Sequence, residues 1–172
     1  RRFNIENFED LFFSKIMNKE TDYFKLFFDL AIIPNHPFGA DWLKRKLCKM
    51  SQVDLDYHWT MGVNNLLKYK SRQLEILIDW IPTVPSDFLK DEQRRLAGIA
   101  LSLLLSTTVV RERNKITRAI TTLFDKSKSE FSSVLKGMKG YKDVYVYQRL
   151  IAISSGLTMR SVDRFEIECI SN

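Results

Sequence analysis

Two consecutive stretches decide the fold of this 172-residue chain: residues 89–105 read LKDEQRRLAGIALSLLL, and residues 107–124 read TTVVRERNKITRAITTLF. The second stretch carries apolar residues at the spacing of one α-helical face, namely Ile116, Ala119, Ile120, Leu123 and Phe124. The first stretch is apolar nearly all round in its second half, which is typical of a helix buried on every side. The pair predicts an all-α core with 89–105 at its centre.

Helical periodicity continues on both sides of this pair. Further helices are predicted at 5–17, from Thr21 or Asp22 to the break at Pro34 and Pro37, and at 40–49, 51–67, 71–81, 127–138 and 143–155. The predicted N-caps are Ser51, Ser71, Ser127 and Asp143, with capping boxes completed by Asp54 and Glu130. Gly140 and Gly156 are predicted to end helices. The result is about eight or nine short helices, and the only plausible short strand is 165–170.

The domain organisation follows from the spacing of the helix pairs. Pairs that recur at about 35 to 45 residues match HEAT/TPR-like helical repeats, so we expect an α-solenoid segment. Residues 1–172 are interpreted as a single all-α segment of a longer chain. It comprises an aromatic-rich helical pair at 1–33 and successive repeat units at 34–106 and 107–172. A compact irregular helical domain is the alternative.

Composition limits the class of protein. The chain is 45% hydrophobic and 28% charged, with a net charge of +6, which is typical of a folded globular protein. Cys48 and Cys169 are too few for a disulfide framework in a chain of this length. No apolar run approaches the roughly 18 residues of a membrane span, and the mixed charged and aromatic sequence that starts at Arg1 does not read as a signal peptide. We therefore expect a cytoplasmic protein without a membrane partner.

No motif for catalysis is present. The glycines form neither G-x-x-x-x-G-K-[ST] nor G-x-G-x-x-G, and no serine lies in a G-x-S-x-G elbow. The histidines and cysteines lack metal-ligand spacing, and His36 and His58 are interpreted as capping or packing residues. The sequence therefore predicts no catalytic residue, no metal and no cofactor in this segment.

Two basic groups stand out. Lys44, Arg45, Lys46 and Lys49 form the densest cluster, which is interpreted as a solvated helix face or as a nucleic-acid-binding surface. Arg111, Arg113, Lys115 and Arg118 fall early in a predicted helix, where positive charge opposes the helix dipole. A carboxylate from a neighbouring repeat, Glu112 or an external anion is expected to compensate.

The first 28 residues are rich in aromatic side chains. The adjacent pairs Phe12–Phe13 and Phe27–Phe28 cannot both lie on one narrow helical stripe. We expect cover on a second side, either from a preceding repeat or from a partner protein.

Four segments resemble motifs of large bacterial STAND NTPases of the AVAST and NACHT-like type. They are 36–43 (HPFGADWL), 56–60 (DYHWT), 107–120 (TTVVRERNKITRAI) and 143–149 (DVYVYQR). Their order and spacing agree with that family over residues 36–156. The chain departs from the pattern at Gly39, Leu55, Val109, Val110 and Asn114.

The resemblance implies a parent chain with an upstream ATPase module, where ATP and Mg²⁺ bind. This segment then belongs to the helical-repeat region that senses a phage protein and contacts neighbouring parts of its own chain. The residues interpreted as links between repeats, rather than as ligand contacts, are Asp41, Asp56, Trp59, Arg111, Arg113, Arg118, Asp143 and Arg149. The expected function is non-catalytic protein recognition in antiviral defence, and the alternative is a nucleic-acid-binding or adaptor module.

Overall fold

A computed structural model describes residues 5–69, 71–85 and 88–171, and these ranges form nine helices without a strand. The first three are α1 (Ile5–Met17), α2 (Thr21–Leu30) and α3 (Ala40–Cys48). Helix α4 runs without a break through Gln52–Asp54, the π-helical segment Leu55–Thr60 and Met61–Lys68. Helix α5 runs through Arg72–Glu75, the π-helical segment Ile76–Trp80 and the 3₁₀ turn Ile81–Thr83. The last four are α6 (Asp91–Leu104), α7 (Val110–Phe124), α8 (Lys128–Gly137) and α9 (Val144–Ser171).

Helix α6 is the centre of the core, as its sequence predicts. Every residue of 96–104 is buried, and α6 packs against α3, α5, α7, α8 and α9. Glycine at position 98 permits this packing, because a Cβ there would lie 2.6 Å from Phe124 Cζ. The all-α class is thus confirmed. Contacts from α6 to α3 and α8 reach beyond the nearest neighbours in sequence, to which the contacts of a solenoid repeat are largely confined.

The helix starts follow the predicted caps with one exception. Ser51 Oγ accepts a hydrogen bond from Asp54 N, and Ser71 Oγ accepts one from Leu74 N. Asp143 Oδ1 accepts hydrogen bonds from the first turn of α9. The predicted capping box at Ser127 and Glu130 is wrong, because the Ser127 side chain makes no capping hydrogen bond.

The end of the chain differs from the prediction. Helix α9 does not stop at Gly156 but continues to Ser171, so the predicted strand at 165–170 is wrong as well. Gly140 has φ +90° and lies in the turn that follows α8, three residues after the helix ends at Gly137, whereas Gly156 is an ordinary helical position. A glycine terminates a helix only where the chain takes the left-handed conformation. The side chain of Cys169 lies outside the described residues.

The aromatic side chains of α1 pack against α3 and the loop before it, and Phe24 of α2 stacks on Trp59 of α4. Phe12 stacks on Trp42 with ring centroids 5.4 Å apart, and Phe38 lies edge-on to Trp42 at 5.3 Å. Phe27 and Phe28 are both buried. The expectation that a preceding repeat or a partner must cover these pairs is therefore wrong for Phe12, Phe27 and Phe28.

Candidate functional site

An open cleft of about 660 Å³ lies between α4, the loop that joins α6 to α7, and the starts of α7 and α9. Helix α4 contributes one whole face, and the other elements form the opposite wall. The cleft is lined by Val53, Asp56, Tyr57, Thr60, Met61, Asn64, Ser106, Thr107, Thr108, Arg113, Asp143 and Tyr145. Its volume is within the range of roughly 300 to 1,000 Å³ that is usual for ligand sites.

The α4 residues in the cleft follow the spacing of a buried helical face, although no helix covers them. Counted from Val53, the lining positions are i, i+3, i+4, i+7, i+8 and i+11. Val53, Tyr57 and Met61 are all exposed. The opposite side of α4 is closed, because Trp59 is fully buried and its Nε1 donates to Leu103 O at 3.0 Å. Helix α4 therefore has one packed side and one apolar side that faces open space.

Asn64 fixes one end of the cleft. Its Oδ1 accepts hydrogen bonds from Thr107 Oγ1 at 2.7 Å and from Thr108 N at 3.1 Å. Its Nδ2 donates to Thr108 Oγ1 at 3.0 Å. Because this amide satisfies both a loop backbone group and two hydroxyls, the α6–α7 loop is held at a set distance from α4.

The opposite wall is built around the Tyr145 ring. The Arg113 guanidinium lies 4.6 Å from the ring centroid, and that of Arg149 lies 5.7 Å away. Arg149 also donates to Tyr145 Oη at 2.9 Å, and Arg113 to Thr107 O at 3.4 Å. The buried Nε atoms of both arginines have no hydrogen-bond partner. Both cations are thus oriented by an aromatic face rather than by a carboxylate.

Two carboxyl groups lie in the cleft without a cationic partner. Burial raises the pKa of Asp143, the negative charge of Asp56 adds to the rise, and the hydrogen bonds from Val146 N and Tyr145 N oppose it. Neither carboxylate forms an ion pair with any cation in the described ranges. Asp56 Oδ1 accepts one neutral hydrogen bond, from Gln52 Nε2 at 2.9 Å.

Thr60 lines the cleft and carries an unsatisfied hydroxyl. The residue is only 8% exposed, and its buried Oγ1 has no hydrogen-bond partner among the described residues. It lies four positions after Asp56 on α4. A buried hydroxyl without a partner costs free energy, so its presence here needs a reason.

The structure brings some of the predicted link residues together and separates others. Asp56, Arg113 and Asp143 meet in the cleft, and Arg149 joins them through Tyr145. Trp59 lies on the packed side of α4.

Asp41 connects α3 with α6 far from the cleft, through a bidentate hydrogen bond from the Arg95 guanidinium. Burial opposes ionisation of Asp41. The Arg95 hydrogen bonds and charge, aided by Lys44, outweigh that effect and lower its pKa below the ordinary value.

The basic residues of α7 divide into paired and unpaired ones. Lys115 forms an ion pair of 2.7 Å with Asp79 of α5, which is the kind of compensating carboxylate that the sequence calls for. Arg111 and Arg118 are exposed beside it in a second cleft of about 420 Å³. Neither makes a hydrogen bond or an ion pair with the described part of the chain.

The predicted basic surface on α3 is partly neutralised. Lys46 contacts Glu9 at 2.9 Å and Asp10 at 3.4 Å, and Lys44 lies 3.7 Å from Asp41. Arg45 and Lys49 are exposed. Hence two of the four cations are already balanced by carboxylates of this chain.

Sequence reasoning missed several residues of the cleft, above all Tyr57, Thr60, Met61, Asn64 and Tyr145. A signal for the α4 residues is present, because they share the helical spacing that begins at Val53. That spacing mixes polar and apolar side chains, so it does not mark a core face. Nothing in the sequence alone places Tyr145 opposite them.

Among the described residues, no group of three His, Cys, Asp or Glu side chains is placed to hold a metal ion. None of the described helices has the length and apolar character needed to cross a membrane. No family model, curated protein or solved structure matches this chain.

Proposed function

We propose that this chain is a non-catalytic protein-recognition segment whose partner binds in the cleft beside α4. The observation that carries the proposal is the uncovered apolar face of α4, on which Val53, Tyr57 and Met61 are exposed along one line. Large apolar side chains grouped on a surface mark interaction sites, and a groove with helical spacing suits an amphipathic helix.

Two exposed methionines make this proposal testable. Met61 lies in the cleft and is 47% exposed, whereas Met159 on α9 is 67% exposed and lies outside it. A yeast-displayed library of amphipathic helices of about 18 residues, or five turns, is selected against the chain. Selected peptides are then titrated into protein labelled at the methionine methyl groups.

We expect the selected peptides to shift the NMR signal of Met61 and to leave that of Met159 in place. Met61→Glu is expected to abolish binding, because it puts a charge on the apolar face, and Met159→Glu is the matched control. Peptides that shift Met159 instead, or a library that yields no binder, would contradict recognition at this cleft.

The resemblance to STAND NTPases extends the proposal to a biological setting. In it, the segment is the sensor region of a cytoplasmic antiviral protein, recognises a phage protein, and leaves ATP and Mg²⁺ to an upstream module. What supports this is that three of the four resembling segments, 56–60, 107–120 and 143–149, each contribute residues to the cleft. The check is a G-x-x-x-x-G-K-[ST] loop upstream in the same reading frame, with ATPase activity of the parent protein.

A HEAT/TPR-like solenoid belongs to the same proposal. The successive pairs α6–α7 and α8–α9 support it, because the members of each pair pack together. The many neighbours of α6 favour the compact irregular arrangement instead. Small-angle scattering of the parent chain distinguishes the two, since a solenoid is extended and a compact domain is not.

The second candidate function is nucleic-acid binding. The observation in its favour is a set of exposed cations that form no ion pair within the described part of the chain: Arg45 on α3, Lys49 directly after it, and Arg111 and Arg118 on α7. Binding of a fluorescent oligonucleotide that weakens steeply with salt, and that is lost in Arg45→Gln/Lys49→Gln, would favour this function over protein recognition.

A further inference from the structure

We propose that the partner segment bound in the cleft is a helix that inserts an arginine side chain between Asp56 and Asp143. This inference rests on the proposed function and deepens it by naming the chemistry of the partner. Two independent features of the cleft carry it: the line of apolar side chains, and the pair of carboxylates that have no cationic partner among the described residues.

The apolar line sets the orientation of the bound helix. Val53, Tyr57 and Met61 are each four residues apart and all exposed, so they form one row along α4. A partner helix lying along α4 presents its own apolar residues at the same repeat, and helix packing of this kind interdigitates the two rows. The opposite wall, from Arg113 to Tyr145, limits how far the partner can move sideways.

The two carboxylates determine the charge that the partner must carry. Asp143 Oδ1 accepts hydrogen bonds from Tyr145 N and Val146 N, and Asp56 Oδ1 accepts one from Gln52 Nε2. Oδ2 of each residue makes no hydrogen bond with the described ranges. Arg113, the cation that lines the same cleft, is held by the Tyr145 ring and Thr107 O instead. A cation from outside therefore meets two free carboxylate oxygens that repel each other in its absence.

The pair of carboxylates favours arginine over lysine. Asp56 on α4 and Asp143 at the start of α9 line the same cleft, so a cation between them faces two acceptor groups. A guanidinium carries five N–H donors in a rigid plane and can donate to both carboxylates at once. An ammonium group has three donors on one atom and satisfies two acceptor groups less well.

The test uses the same displayed library of amphipathic helices, with all residue types allowed at the polar positions. The comparison protein is the double variant Asp56→Asn/Asp143→Asn, whose second substitution keeps a side-chain oxygen to cap α9. Asp29→Asn/Asp79→Asn, which makes the same change in charge outside the cleft, is the matched control. Circular dichroism melting confirms that all three proteins are folded.

We expect arginine to be enriched about tenfold over glutamine at one position in selections on the wild type. We also expect the selected peptides to lose at least about tenfold in affinity for the cleft variant and none for the control. Equal enrichment of lysine, or equal affinity for the double variant, would overturn the arginine assignment. Peptides that still shift Met61 in that case leave protein recognition at the cleft intact, whereas the absence of any peptide that shifts Met61 defeats both proposals.

Discussion

Helices α4 and α6 are in contact through a hydrogen bond from Trp59 to Leu103, yet the rest of the molecule covers them to very different extents. Helix α6 is covered on every side by other helices over 96–104. Helix α4 is covered only on the Trp59 side, and its other face leaves Thr60 unsatisfied and Asp56 unpaired. Helix α6 therefore has the complete burial that is usual for a core helix, whereas the open face of α4 keeps polar groups unsatisfied. Local departures of this kind are expected where a surface serves a partner rather than stability.

The largest expected effect on stability comes from a substitution on the packed side of α4. Trp59→Ala removes a fully buried indole and its hydrogen bond to Leu103 O, so the free energy of unfolding should fall by about 3–5 kcal/mol. Trp80→Ala, at a tryptophan that is 62% exposed, should change it by no more than about 0.5 kcal/mol. Urea denaturation measures both. Equal losses would show that α4 is not packed as described.

The next effect tests the crowding around α6. Gly98→Ala places a methyl group 2.6 Å from Phe124 Cζ and 2.9 Å from Val134 Cγ2, and should destabilise the fold by about 1–2 kcal/mol despite the better helix propensity of alanine. Gly156→Ala has the opposite sign, because a Cβ there meets nothing within 4 Å, and should stabilise by about 0.5–1 kcal/mol. Thermal melts of the two variants should shift in opposite directions.

A smaller effect sharpens the contrast between satisfied and unsatisfied hydroxyls. Thr60→Val removes a buried hydroxyl without a partner and should stabilise the protein by about 1 kcal/mol. Thr107→Val is the matched control at another buried threonine, whose Oγ1 donates to Asn64 and accepts from Val109 N, and should destabilise by about 1–2 kcal/mol. If Thr60→Val is also destabilising, its hydroxyl is bonded in solution and the cleft loses its unsatisfied group.

The smallest effect concerns protonation in the cleft. Asp56→Asn removes the like charge that helps to raise the pKa of Asp143, so that pKa should fall toward its ordinary value. Because the folded-state pKa of Asp143 is raised, its contribution to stability decreases as the pH rises from the ordinary value through the folded-state pKa. Carboxyl-detected NMR titration of Asp143 measures the shift, and Asp79→Asn should leave it unchanged.

Much of the fold is readable from the sequence because it depends on local signals. Ser51, Ser71 and Asp143 each hold the first turn of a helix through a side-chain oxygen, and that chemistry is visible in the residue and its position. The errors at Gly156 and at 165–170 arise where a local signal is overruled by continuation of α9. Helix propensity and termination signals are weak beside the cooperativity of a helix already formed.

The candidate site is less readable because it depends on distant parts of the chain. Asp56 and Asp143 lie on different helices, and the sequence assigns each of them a separate structural role. Their proximity, and that of Asn64 to Thr107, exists only once α6 has brought the two halves together. Hydrophobic spacing predicts which face of a helix is buried, but it does not predict which face stays uncovered.

Asp143 belongs to the cleft and is also the first anchor of α9. Helix α9 has 28 residues, which corresponds to a rod about 40 Å long. The N-terminal end of α9 therefore lies at the cleft, and its C-terminal end lies about 40 Å away along the helix axis. A tilt of about 5° at Asp143 would displace the end of such a rod at Ser171 by roughly 3–4 Å.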